Sequence, residues 1–155
     1  MIAGPSAFIS HADEDAVIAH DLCRHLERAG VPCWIAPRDV TPGQDYASEI
    51  VVGIESCSTF VLVLSAAANR SAFVRREVER AASKGKPMFP VRIEDVLPER
   101  ALEFFVSSSH WIDAAEEPRD VQWERIARAI QGERERPGGD GTNHPKNLSY
   151  PIPFA

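Results

Sequence analysis

Five histidines (His11, His20, His25, His110 and His144) and three cysteines (Cys23, Cys33 and Cys57) are the side chains that could ligate a metal or act as nucleophiles. Their spacing supports neither chemistry. There is no H-E-x-x-H, and the histidines form no ligand cluster; His20 and His25 flank Asp21 and Arg24 on a helical stretch, as on a solvated face. The cysteines are odd in number, widely spaced and free of any C-x-x-C, which argues against a disulfide framework or a structural zinc site. No metal is expected. The loops that define dinucleotide folds, P-loop enzymes and α/β-hydrolases (G-x-G-x-x-G, Walker A, G-x-S-x-G) are absent as well. Asp13 and Asp15 could pass for the metal-binding acids of a phosphoacceptor receiver. That chemistry needs an acceptor aspartate after the third strand, where the chain reads Leu64-Ser65-Ala66. The receiver reading fails.

The elements that carry these residues can be read from hydrophobic period. Ala7-Phe8-Ile9 is a short buried strand. Asp13 or Asp15 then caps a helix through Ile18, Leu22, Leu26 and Ala29, which Gly30 ends. Val31 to Ile35 is a second strand, followed by a loop punctuated by Pro37, Pro42 and Gly43 and a helix from Tyr46 to Ser56. Thr59 to Leu64 is apolar on both faces, as a central parallel strand must be. Ser71 begins a helix through Phe73, Val74, Val78, Ala81 and Ala82 that stops at Gly85. Met88 to Val91 and Trp111-Ile112 are the fourth and fifth strands, and Trp123, Ile126, Ala127 and Ile130 line one face of a last helix. Such alternation predicts a doubly wound α/β sheet of five parallel strands with helices on both faces. In that architecture ligands bind beyond the carboxyl ends of the strands, here after Ile9, Ile35 and Leu64.

Composition narrows the setting. The 155 residues are long enough for one domain, and a net charge of −6 without a basic stripe argues against nucleic acid and anionic membrane as partners. The longest apolar stretch, Thr59 to Ala68, is about half of what a spanning helix needs. A cytoplasmic, single-domain protein is expected. Residues 1–131 form that domain; from 132 to 155, Gly and Pro become dense and a Glu133-Arg134-Glu135-Arg136 run appears. This segment reads as a linker or the start of a further region, or equally as a native tail.

Several segments in order resemble a Toll/interleukin-1 receptor (TIR) domain of the bacterial type. They are Phe8-Ile9-Ser10-His11-Ala12 with Asp13 and Asp15, and the loop Cys33-Trp34-Ile35-Ala36-Pro37-Arg38-Asp39-Val40-Thr41-Pro42-Gly43, similar to the family's BB loop. Phe60 to Ser65, Arg76 to Ala81, Pro90-Val91-Arg92 and Trp111-Ile112-Asp113 follow. The resemblance spans residues 6–131 and implies a flavodoxin-like fold, in agreement with the pattern.

It also implies a chemistry. Many TIR domains cleave NAD+ between nicotinamide and ribose, with a glutamate four residues after an aromatic on the helix following the third strand. The matching pair is Glu77 and Phe73, which a spacing of four puts on one helical face. Nicotinamide leaves as a neutral molecule, so one carboxylate can suffice where ordinary glycoside hydrolysis uses two. The family's usual aromatic is tryptophan; Phe73 keeps the stacking face but has less area and no indole N–H. The plainer reading of the pair is a core phenylalanine and a solvated acid.

The same resemblance suggests further substrate contacts. Ser10 and His11 could meet a ribose or phosphate. Arg38 could pair a phosphate bidentately or bond Asp39 or Asp45. Gly43 gives the loop backbone freedom, and Tyr46 covers the nucleotide or caps its helix; Trp34 packs in the core. NAD+ would be a substrate, with no cofactor required. The implied activity is that of an NAD+ glycohydrolase or cyclase activated by self-association, in bacterial immune signalling, with a sensor or effector region beyond residue 155. A non-catalytic TIR–TIR adaptor and a virulence effector are the alternatives.

Overall fold

A computed structural model of the chain describes residues 5–106, 111–116 and 118–135. The strands are β1 (Ala7–Ser10), β2 (Cys33–Ile35), β3 (Thr59–Leu64), β4 (Met88–Arg92) and β5 (Ile112–Asp113). The helices are α1 (Ala16–Arg28), α2 (Tyr46–Ser56), α3 (Ala66–Arg70), α4 (Ala72–Ser83), α5 (Arg100–Val106) and α6 (Asp120–Glu135). All neighbouring strands run parallel in the order β2-β1-β3-β4-β5. This is the expected flavodoxin-like topology, whose order reverses between β1 and β3.

Alternation along the strands divides the apolar residues between two cores. Ala7, Ile9, Val61, Val63 and Val91 meet Leu22, Leu26, Trp123, Ile126 and Ile130 from α1 and α6. Phe8, Phe60, Leu62 and Leu64 meet Ile54, Val74, Val78 and Leu102 from α2, α4 and α5 on the other face. Every residue of β3 is buried, because helices cover both of its sides. Trp34, expected in the core, lies half-buried with its ring stacked on Phe8 at a centroid distance of 4.9 Å. Gly53 is what lets α2 settle over that ring. A Cβ at this position would come within 2.8 Å of the Trp34 indole.

Several boundaries differ from the sequence-based expectation, each for a local reason. Asp15 occupies the position before α1 but makes no cap; its side chain receives the Ser65 hydroxyl instead. Asp13–Asp15 form a single 3-10 turn. β2 begins at Cys33 rather than Val31, since Pro32, which lacks an N–H, intervenes and gives its carbonyl to the Ser6 and Ala7 amides. Two short helices, α3 and α5, were not anticipated. The last helix continues through Gly132 to Glu135, so four residues assigned to the linker are helical. Residues 136–155, with the rest of that segment and His144, lie outside the described residues, as does His110.

Candidate functional site

The reversal of strand order leaves a cleft of about 590 Å³ beyond the carboxyl ends of β1 and β3. Ile9 and His11 form its floor, Ala36, Pro37 and Tyr46 one wall, and Ala67, Phe73 and Glu77 the other. Three segments of the chain therefore contribute: the exit of β1, the loop after β2 up to the start of α2, and the α3–α4 region.

The acid wall is built by capping. Ser71 ends α3 and starts α4, its hydroxyl accepting from the Val74 amide at 3.1 Å. From there Val74, Val78 and Ala81 bury one stripe of α4 against the sheet. Phe73 and Glu77 fall on the neighbouring stripe, one turn apart, beside the cleft. Phe73 is 67% exposed, so it is no core residue. Glu77 is half-buried, and Ser10 Oγ donates to its Oε1 at 2.6 Å. Neither half of the plainer reading describes this pair.

Burial pushes the Glu77 carboxyl up to about 7, against the ordinary 4.5; the Ser10 bond and the charge of His11 oppose that rise. Ser10 itself is 1% exposed and is not part of the cleft wall. The structure thus gives Ser10 to the acid, whereas a direct substrate contact was expected.

The other expected residues separate into two groups. His11 lies in the cleft, with Nδ1 2.9 Å from the Ala12 carbonyl and Nε2 3.1 Å from that of Ala36. It ties the end of β1 to the loop after β2, each ring nitrogen facing a backbone carbonyl. Tyr46 opens α2, but its helix is capped by Asp45, whose carboxylate accepts from the Ser48 amide. The Tyr46 ring is free to wall the cleft, and its hydroxyl is raised by burial and by the charges of Glu77 and Asp13.

Arg38 and Gly43 do not line the cleft. The guanidinium of Arg38 holds Glu27 in a bidentate pair at 2.8 and 2.9 Å, and it also bonds Asp39 and the Cys33 carbonyl. A group so engaged has little left for a phosphate. Gly43 turns the loop at φ +84°, with open space around it.

Sequence reasoning passed over one buried pair. Ser65 donates to Asp15 and accepts from the Ala68 amide at 3.0 Å, which caps α3 against the sheet end. Burial raises the Asp15 carboxyl, and the Ser65 bond partly offsets it. Cys23, Cys33 and Cys57 are free and buried. Among the described residues, no group of three His, Cys, Asp or Glu side chains is placed to hold a metal. No described helix is long and apolar enough to cross a membrane. What the cleft offers is one partly buried carboxylate, a hydroxyl donor behind it and an exposed aromatic ring one turn away.

A family profile described as a TIR domain matches residues 7–130. Among solved structures, the TIR domain of a Toll-related receptor from Hydra magnipapillata is similar at 24% identity and a TM-score of 0.69, over 81% of this chain and 97% of that one. A metazoan TIR-STING receptor from C. gigas is similar at 22% identity and a TM-score of 0.63, over 84% of this chain and 42% of that one. The TIR domains of an activated resistosome that directly recognises a pathogen effector share 15% identity at a TM-score of 0.55, over 83% and 84% of the two chains. No curated protein matches the sequence.

Proposed function

The chain belongs to the TIR domain family, and on that premise we propose that it cleaves NAD+ at the nicotinamide–ribose bond. One observation carries the reading: Glu77, hydrogen-bonded by Ser10 and pushed up to about 7 by burial, stands one helical turn from the exposed Phe73 in the switch-point cleft. The glycosidic C–N bond breaks with its electron pair leaving on nicotinamide, which departs neutral. Positive charge then builds on the ribose anomeric carbon. The Glu77 carboxylate stabilises that charge and accepts from the ribose hydroxyls, in a site where partial burial strengthens the interaction. Ser10 favours the ionised form and aims the carboxylate. Phe73 packs its ring against nicotinamide.

Water adding to the anomeric carbon gives ADP-ribose and releases one proton; attack from within the same molecule gives a cyclic isomer. NAD+ is a substrate in this scheme and no cofactor takes part. The reaction serves immune signalling of bacterial type in the cytoplasm, with copies of the domain associating to complete the site. The competing reading is a non-catalytic TIR–TIR module, and one observation favours it: phenylalanine stands where catalytic relatives carry tryptophan.

The test is nicotinamide release from NAD+ by concentrated protein, wild type beside Glu77→Ala, with products separated by chromatography. We expect the variant to lose on the order of 10²-fold or more, as for removal of a principal transition-state contact. No release by wild type even when forcibly oligomerised would transfer the lead to the interaction module.

A further inference from the structure

Of the residues that line the cleft, one carries a full positive charge on a guanidinium. It is Arg70. Three carboxylates, those of Asp13, Glu14 and Glu77, line the same space, yet none lies in an ion pair with it. No hydrogen bond within the described residues engages its side chain. The contrast with Arg38 is direct, since all three nitrogens of that guanidinium bond protein acceptors.

The backbone at Arg70 is held from three sides. Ser65 caps the start of α3 and is itself anchored on Asp15. Asn69 donates to the Leu97 carbonyl and accepts from the Glu99 amide, both at 2.9 Å, which clasps the segment before α5. Ser71 caps the start of α4. The three polar neighbours are thus consumed in fixing the junction between α3 and α4, and Arg70 is left at the cleft with its five donors unused. A planar fork of this kind matches phosphate oxygens two at a time.

From this geometry we propose that Arg70 holds the phosphates of the ligand, making the cleft selective for nucleoside diphosphates over uncharged nucleosides. The proposal deepens the NAD+ reading and rests on its placement of the ligand. If Glu77 takes the ribose and Phe73 the nicotinamide, the two negative charges of the diphosphate follow along a cleft lined by acids. Among the described residues of the lining, Arg70 is the guanidinium placed to offset them. It acts in binding, and the carboxylate does the chemistry.

ADP-ribose is the probe, because it carries the diphosphate and lacks the bond that the enzyme would break. Its binding, and that of adenosine, is measured by amide chemical-shift titration of wild type, Arg70→Gln and Arg75→Gln. Arg75 is exposed on α4 and outside the cleft lining, so its loss controls for net charge. We expect Arg70→Gln to weaken ADP-ribose tenfold or more, Arg75→Gln to weaken it less than twofold, and adenosine to bind wild type no better than Arg70→Gln binds ADP-ribose. Equal weakening by the two substitutions, unchanged affinity in Arg70→Gln, or no ADP-ribose binding by wild type would overturn the proposal. Nicotinamide release is scored separately, so a cleft that binds ADP-ribose through Arg70 without cleaving NAD+ refutes the enzyme reading alone.

Discussion

Glu77 is a partly buried carboxyl whose ionisation costs the fold stability. Its carboxyl titrates at about 7 in the folded protein and at an ordinary 4.5 once exposed, with burial the main cause. Between those values the folded state retains a proton that the unfolded chain has released. The free energy of unfolding therefore falls as pH rises from about 4.5 to about 7, and stays lower above that. Glu77→Gln keeps an acceptor for Ser10 but cannot ionise. We expect it to be more stable than wild type at pH 8, by on the order of 1–3 kcal/mol, with the difference vanishing near pH 4.5. Denaturant unfolding at the two pH values measures this, and a difference independent of pH would contradict it. The ionised form is the one the proposed chemistry uses, so activity should climb across the same interval in which stability declines.

At the scale of elements, α2 shows what a single missing Cβ allows. Gly53 faces the Trp34 ring, which is stacked on Phe8, which in turn is stacked on Phe60 at 5.5 Å. Alanine is the better helix former by about 1 kcal/mol, so Gly53→Ala would stabilise an isolated helix. Here its methyl would meet the indole at 2.8 Å, and α2 must lift or the ring must turn. A net loss of about 1–3 kcal/mol is expected from overpacking, read as a lower denaturant midpoint. An unchanged or raised midpoint would show that the aromatic stack yields freely. Because α2 also carries Tyr46, the substitution should move one wall of the cleft.

The elements differ in how plainly they were written. α2 and β3 have the bounds that period and punctuation predict, since each is long enough to show its own pattern. α3 is too short to show any. Ser65 caps it locally, but the burial of Ala67 and Ala68 and the Asp15 bond that fixes Ser65 arise only in the folded chain.

For the molecule as a whole, the open side of the cleft is the informative feature. Tyr46 is 48% exposed and Phe73 67% exposed at its rim, which leaves the proposed nicotinamide position bare to water. Covering that side with a second copy would exclude water and strengthen each polar contact inside. Nicotinamide release per mole of protein should accordingly rise with protein concentration, and rise further when the domain is fused to an oligomer. Constant specific activity over a hundredfold range of concentration would argue that one copy is complete.

The sequence by itself determined the five strands, the burial of β3 on both faces, and the pairing of Phe73 with Glu77 on one helical face. These follow from local period, because side-chain direction along a helix or strand depends on residues only a few positions apart. Tertiary structure alone decided which partners the charged and hydroxyl groups found. Ser10 meets Glu77 across 67 residues of chain, Ser65 meets Asp15 across 50, and Arg38 meets Glu27 rather than the cleft. No spacing encodes such pairs. They exist because parallel strands bring distant loops to one sheet edge, where burial raises a carboxyl and the nearest donor answers it.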